Sequence, residues 1–422
     1  MADNPIQPPY VPDTTQHESI RITQPKWVTN GALGLLNQEL TLSKLCYRDS
    51  STDFKGTVGE VVNIKRPTRS VGVQNIGKSN ASFAPTEWGD GKDQDPSRKY
   101  DHDSKFVHDS LSPQHTEETY IQVKLTDNKG SAVELTDEQL DFDIDTFAAD
   151  ILKPQTDGFA QYLDWRMAAE LTTRFGKGGS EAQFGLPAEP VSVAAELYEN
   201  PQTEAQLKED ALAIRNAIID ARKAFNAMGA PQSGRYILTT PEVESILLKD
   251  PMFQGADWSG TTDALRRAIV GQMYGINIVT SSELAAMPVQ GDTKGVSAGL
   301  HMYMWHPTAM IQCTKAPAIP KGATFGAGAS ADGVALRWLV DYSHEKMTDR
   351  SVINTYLGYS TVTEDKRYCN EMYARLTAAK LSGVSLPDQD KFKIMRAVRI
   401  DLSRTKAAGV KVAVKGTGTK SA

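Results

Sequence analysis

The chain has 422 residues, 40% of them hydrophobic and 23% charged, with 46 basic side chains against 52 acidic ones and a formal net charge of -6. That balance supports a sizeable buried core, and at about 100–200 residues per domain the length allows two to four units. No window comes near the roughly 18–20 uninterrupted apolar residues of a membrane span, so no membrane role is expected.

Residues 1–10 are polar and proline-bearing with no apolar stretch behind them, and no secretory signal is expected there. Cys46, Cys313 and Cys369 are far apart and make neither a C-x-x-C pair nor a disulfide framework, which suits a reducing cytosol.

The first 26 residues hold Pro5, Pro8, Pro9 and Pro12 besides Pro25, with few apolar side chains, and read as an extended arm. From Thr29 the spacing of Leu33, Leu36, Leu40 and Tyr47 predicts an amphipathic helix capped by Thr29 or Asn30. A turn at Gly56 and Gly59 then feeds a strand carrying Val58, Val62 and Ile64.

Residues 66–119 are too polar to bury themselves. Among these 54 positions only Val71, Val73, Ile76, Phe83, Trp88, Tyr100, Phe106, Val107 and Leu111 are large and apolar. Ordering a residue costs about 1–2 kcal/mol of backbone entropy, and nine side chains worth about 1.5–3 kcal/mol each do not offset it. The segment is therefore disordered alone or ordered by another subunit, and Phe83, Trp88, Tyr100 and Phe106 are the expected inter-subunit contacts. Ile121, Val123 and Leu125 bring the chain back as a strand, so the whole reads as a long two-stranded excursion.

Asp141, Asp143 and Asp145 alternate with Phe142 and Ile144, which fits a half-buried strand with a wet acidic face. A calcium loop would need glycine and glutamate where Thr146 and Leu152 stand. Leu152, Phe159, Leu163, Met167 and Leu171 then predict a helix to about Phe175, with Pro154 and Gly158 bending or delaying its first turn. At 1.5 Å per residue it makes a rod of roughly 30–40 Å.

After a glycine-rich break at 176–185, Leu207, Ala211, Ile214, Ile218, Ala221, Phe225 and Met228 mark the strongest helix, stopped by Gly229. A strand at 235–240, a short helix over 242–249 capped by Thr240 with Pro241 at its first position, and a helix around 263–271 follow. Strands at 276–280 and 300–313 complete an α/β unit with helices against a sheet. Late strands at 333–340 and 354–362 are expected to pair with material from the first half, and Tyr368, Met372 and Leu376 predict a short helix over 367–379.

No motif carries convincing chemistry. Gly295-Val-Ser-Ala-Gly299 matches G-x-S-x-G, with His344 and Asp332 or Asp341 as formal triad partners. A polar turn precedes Ser297 and a strand follows, the reverse of a nucleophile elbow; the plainer reading is a small-residue hairpin turn. Residues 326–331 fit a loose G-x-G-x-x-A but lead into a strand, so no helix N-terminus awaits a phosphate and a flexible crossover is expected. The seven histidines include no i, i+4 pair, and neither a metal nor any other cofactor is expected.

The charge is uneven. Residues 391–422 hold nine basic side chains, including Lys391, Lys393, Arg396, Arg399, Arg404 and Lys406, against the single acid Asp401. The plainer reading is a solvated, mobile terminus. The functional one is salt-sensitive contact with nucleic acid or an acidic assembly partner.

Several stretches, taken in order, resemble one family. They are ALGLLNQELTLSKL at 32–45 with YRD at 47–49, GEVVNIKRP at 59–67, LTDEQL at 135–140 with ILKP at 151–154, GRYILTTPEV at 234–243, GINIVTSS at 275–282, and GVALRW at 333–338 with YLGY at 356–359. Over about residues 28–365 the chain is similar to major capsid proteins of tailed bacteriophages with the HK97 fold, in particular coat proteins of the Salmonella-phage type.

The resemblance implies an α+β fold: an N-terminal arm (1–27), a peripheral domain on a long spine helix (28–65 and 120–202), an extended loop (66–119), an α/β axial domain (203–320) and a return to the peripheral domain (321–365). Residues 366–422 have no family counterpart and are expected as a C-terminal extension with a basic tail. The resemblance also implies self-assembly, in the cytoplasm of a bacterial host, into an icosahedral virion shell of pentamers and hexamers enclosing double-stranded DNA. Scaffolding, portal and decoration proteins are its implied partners. The competing readings are a serine hydrolase built on Ser297 and a cellular nanocompartment shell of the same fold.

Overall fold

Leu33, Leu36 and Leu40 are buried as their spacing predicts, and the first two lie on α1 (Pro25–Glu39). The computed structural model describes residues 25–50, 61–66, 119–125, 127–135, 148–176, 189–250, 272–288, 299–323, 325–345, 348–364, 366–389, 391–392 and 396–406. Because α1 starts before Thr29, neither Thr29 nor Asn30 caps it; Thr29 is buried within the helix and its hydroxyl reaches the Ala327 carbonyl at 3.5 Å. Tyr47 is not part of the helical stripe but lies exposed on strand β1 (Tyr47–Ser50).

The chain divides into two units, residues 62–122 and the remainder. At the limits of the first, β2 (Val61–Arg66) and β3 (Thr119–Lys124) form a two-stranded sheet, the two ends of the expected excursion. Phe83, Trp88, Tyr100 and Phe106 lie outside the described residues, as do the helix expected around 263–271 and the acidic strand at 141–145.

The larger unit continues with β4 (Asp127–Leu135), a π-helical turn (Ala148–Leu152) running into α2 (Lys153–Phe175), β5 (Val191–Tyr198), α3 (Glu204–Ala227), β6 (Tyr236–Thr239) and α4 (Pro241–Leu247). Then come β7 (Gln272–Met273), β8 (Ile276–Thr280), α5 (Ser282–Ala285), β9 (Met302–Trp305), β10 (Met310–Lys315), β11 (Phe325–Ala331), β12 (Val334–Ser343), β13 (Thr348–Thr361), α6 (Lys366–Ala379) and β14 (Ala397–Lys406).

One six-stranded sheet runs β1-β10-β13-β12-β11, with β4 also paired to β13; the other runs β5-β14-β9-β6-β8-β7. The pairing of β4 with β13 is the expected union of a late strand with the first half. The residues expected to form one strand at 300–313 form two, in different sheets, because Pro307 opens a single helical turn between β9 and β10. Residues 326–331 are not a crossover but most of β11, zipped to β12 from Phe325↔Val340 to Ala331↔Val334.

The second sheet is buried on both faces, which explains the unbroken apolar run of β9. Met302 and Met304 join Val398, Ile400, Leu402 and the inner faces of α3, α4 and α6 in one core. Tyr303 and Trp305 point the other way, into a core shared with α1, α2 and the first sheet. Trp305 is the main tie: its indole N–H donates to the Leu45 carbonyl at 2.6 Å, and Phe175 meets its ring edge-on at 5.1 Å.

The two long helices follow their sequence signals. On α2, Phe159, Leu163, Met167 and Leu171 are buried. On α3, Thr203 and Gln206 make a reciprocal capping box, and Gly229 ends the helix with φ 68°. Thr240 stands at the start of α4 without capping it by its side chain; its hydroxyl donates to the Gly299 carbonyl instead.

Two polar networks tie α2 to its surroundings. The Asp164 carboxylate on α2 accepts from Thr41 N at 2.7 Å, Thr41 Oγ1 at 2.8 Å and Ser43 N at 2.8 Å. Gln155 donates to the Ser131 and Ser351 carbonyls while accepting from Ser351 Oγ, which itself accepts from the Trp338 indole.

Two glycine substitutions should differ in sign. Gly333 has φ 76°, and a Cβ there would stand 2.8 Å from the Arg48 carbonyl oxygen. Gly333→Ala is expected to cost about 3 kcal/mol. Gly34, on α1 with open space around it, should gain roughly 0.5–1 kcal/mol as alanine. Urea unfolding of the unassembled chain reads both.

Candidate assembly and nucleic-acid surfaces

Val398, Ile400 and Leu402 alternate with Arg399, Asp401 and Ser403, and that period of two makes β14 an interior strand, parallel to β5 and antiparallel to β9. The expectation of a solvated basic terminus is thereby corrected for residues 397–406. α6 and β14 pack into the second sheet's core, as does β5, whereas β10 belongs to the first sheet.

Four of the six candidate nucleic-acid contacts are engaged within the chain. Arg396 bonds Glu364 at 3.1 Å and Thr308 Oγ1 at 2.7 Å. Arg399 is bidentate to Asp401, and its Nη1 donates at 2.7 Å to the Gly176 carbonyl just past the end of α2, where the helix dipole favours a cation. Arg404 pairs with Glu242 at 2.6 Å. Lys406 pairs with Glu209 at 3.1 Å and lies 4.2 Å over the Tyr198 ring. Lys391 reaches Asp388 only at 4.0 Å and is substantially exposed, and Lys393 lies outside the described residues.

Nothing described resembles a catalytic centre. Ser297 lies outside the described residues; Asp341 pairs with Arg350 at 2.6 Å, Asp332 accepts from Asn37, and the His344 ring stands edge-on to Tyr342. Burial pushes the Cys46 and Cys313 thiols up to about 12, so neither is a ready nucleophile at neutral pH. Among the described residues no group of three or more His, Cys, Asp or Glu could hold a metal ion, and no helix is long and apolar enough to cross a membrane. An open cleft of about 600 Å³ between α1 and the β11–β12 turn is lined by Asn30, Leu33, Gly34, Asn37, Lys44 and Asp332, with no nucleophile–base pair.

The histidines give a pH dependence. Burial lowers the pKa of His301, whose Nε2 donates to the Met287 carbonyl at 2.9 Å. Burial and the neighbouring Arg396 lower that of His306, whose Nδ1 accepts from Thr308 N. Both take up a proton less readily in the fold than in the unfolded chain, whose histidines protonate around the ordinary value of 6.5. Their contribution is present above that value and is lost as pH falls through the lowered folded values. The melting temperature should drop between about pH 7.5 and 5.5, and the drop should be smaller in a His301→Gln/His306→Asn variant.

The surface instead offers apolar side chains that this chain leaves uncovered. Trp165 on α2 is 42% exposed, with Tyr162 beside it at 6.0 Å between ring centres. Leu212 and Ile219, seven apart on α3, are also exposed, as are Ile319, Phe325 and Tyr342 around the β11 edge. Aromatic residues in such positions are favoured anchors for another protein surface. Sequence reasoning singled out none of these, because one exposed position on an amphipathic element leaves no periodic trace.

Residues 119–326 match the model of a family described as phage capsid protein. The matched stretch begins at β3 and ends in β11, so it holds α2, α3 and most of the second sheet. Among solved structures, a chain from Mycobacterium phage Che8 aligns at 14% identity and TM-score 0.44, over 86% of this chain and 90% of that one. One from the mature capsid of bacteriophage PhiM1 aligns at 13% identity and TM-score 0.45, over 86% and 87%. One from the capsid of cyanophage P-SCSP1u aligns at 12% identity and TM-score 0.44, over 86% and 88%. No functionally curated protein matches the chain.

Proposed function

We propose that this chain is the major capsid protein of a tailed phage, and that its copies assemble into the head shell around double-stranded DNA. The observation that carries the reading is the match of residues 119–326 to the phage capsid protein model. The two-sheet body supports the HK97 arrangement of the Salmonella-phage type: a peripheral domain on α2 and the first sheet, and an axial domain made of the second sheet with α3, α4 and α6. Residues 66–119 form the extended loop, and Phe83, Trp88, Tyr100 and Phe106 contact a neighbouring subunit in pentamers and hexamers. Lys391 and Lys393 remain the basic residues to meet DNA, the other four being engaged by partners on their own chain. Scaffolding and portal proteins act in assembly within the host cytoplasm, and the chain itself performs no catalysis.

Particles recovered from infected or expressing bacteria test this reading. Closed shells of this chain, filled with DNA in infected cells, are expected. A protein cargo in their place would favour a nanocompartment. Esterase turnover that disappears in Ser297→Ala would favour a hydrolase.

A further inference from the structure

The open cleft between α1 and the β11–β12 turn has a lining suited to one kind of guest. Its walls carry the side-chain amides of Asn30, Asn37 and Gln38, the Lys44 ammonium and the Asp332 carboxylate. An amide holds both a donor and an acceptor, the pair that an extended peptide backbone presents at every residue. Asn37 is engaged within the chain, accepting from Arg48 at 3.1 Å and donating to Asp332 at 3.4 Å. Lys44 donates to the Gln38 carbonyl at 3.2 Å, and an ammonium has three protons to give. Asn30, Gln38, Lys44 and Asp332 are exposed. Gly34 lies between Asn30 and Gln38, and a Cβ there would meet nothing within 4 Å, so none of the described fold stands over the middle of α1.

The chain itself supplies an occupant. α1 begins at Pro25, and 24 residues precede it, too poor in apolar side chains to build a core of their own. Their connection to α1 favours this copy over another, because a segment tethered by a few residues is present at an effective concentration in the millimolar range. Length and charge then select the residues. From Pro25 to Gln38 the helix rises about 20 Å. A segment turned back at Pro25 covers about 23 Å in the seven extended residues to Glu18, which brings that carboxylate level with Lys44. Asp3 and Asp13, the other two acids before α1, stand further back.

We propose that the segment from Glu18 to Ile22 folds back along α1 of its own chain and lies in this cleft, with Glu18 paired to Lys44. The amides of Asn30 and Gln38 hold its backbone. The contact is internal to one subunit and does not depend on the shell reading, which the recovered particles test separately.

Carbodiimide cross-linking of the full-length, unassembled chain in dilute solution, read by peptide mass spectrometry, tests the contact. Expected is a Glu18–Lys44 amide in molecules that keep the mass of one chain. An arginine-specific protease should cut after Arg21 about two- to fivefold faster in Lys44→Glu, the range one exposed ion pair gives. Cutting should slow again in Glu18→Lys/Lys44→Glu. Gly34→Leu, which sends a side chain from an exposed helix face into the cleft, should abolish the cross-link while the circular dichroism stays native. The proposal is overturned if no Glu18–Lys44 link forms, or if the link joins only separate chains, the mark of a second copy in the cleft. Equal cutting after Arg21 in the parent chain and both charge variants would overturn it too.

Discussion

Asp164→Ala is expected to lower the urea midpoint of the unassembled chain by the equivalent of roughly 3–4 kcal/mol, with the slope of the transition unchanged. The carboxylate is 5% exposed and accepts two backbone N–H groups and a hydroxyl from residues 41–43. Alanine removes the acceptor of both N–H groups, and that of Ser43 is buried; a stranded buried donor costs about 1–3 kcal/mol. Asp164→Asn keeps one carbonyl oxygen in place and should lose about half as much. If alanine unfolds at the wild-type midpoint, the junction between α1 and α2 is not held as described.

Val398→Asp is the second large effect. Val398 is 0% exposed, lies between β5 and β9, and faces the core made with α3 and α6. A carboxyl there loses the packing of valine and is desolvated without a partner, at a combined cost of about 4–6 kcal/mol, comparable with the whole stability of many domains. The variant should accumulate as insoluble protein. Thr405→Asp, at the exposed end of the same strand, should remain soluble with native circular dichroism. Equal solubility of the two would mean that β14 is the free tail its charge suggests.

Those two residues show where the sequence is legible and where it is not. α2, α3, β8 and α6 are readable because several apolar residues repeat at one period, and in α3 the stop residue Gly229 agrees with that period. β14 is obscured in the sequence by the charge spread over residues 391–422, although Val398, Ile400 and Leu402 alternate at period two. The break between β9 and β10 also had its signal in Pro307. β11 had none: glycine, alanine and serine carry little strand preference, and it is ordered by β12 and by the approach of α1, where Thr29 meets Ala327. Asp164 is likewise silent, since its partners lie more than 120 positions away. The candidate site fared similarly. A basic cluster is easily counted, but whether its charges are free depends on Glu209, Glu242 and Glu364, which only the fold brings alongside.

As a capsid subunit, this chain is expected to work by packing against copies of itself. Cryo-electron microscopy of the purified protein, expressed with its phage's other head proteins, tests it most directly. Closed particles of uniform size whose wall is built of this chain in five- and six-fold clusters are predicted. A population that stays monomeric at every concentration, with no ordered assembly on the grid, would contradict it.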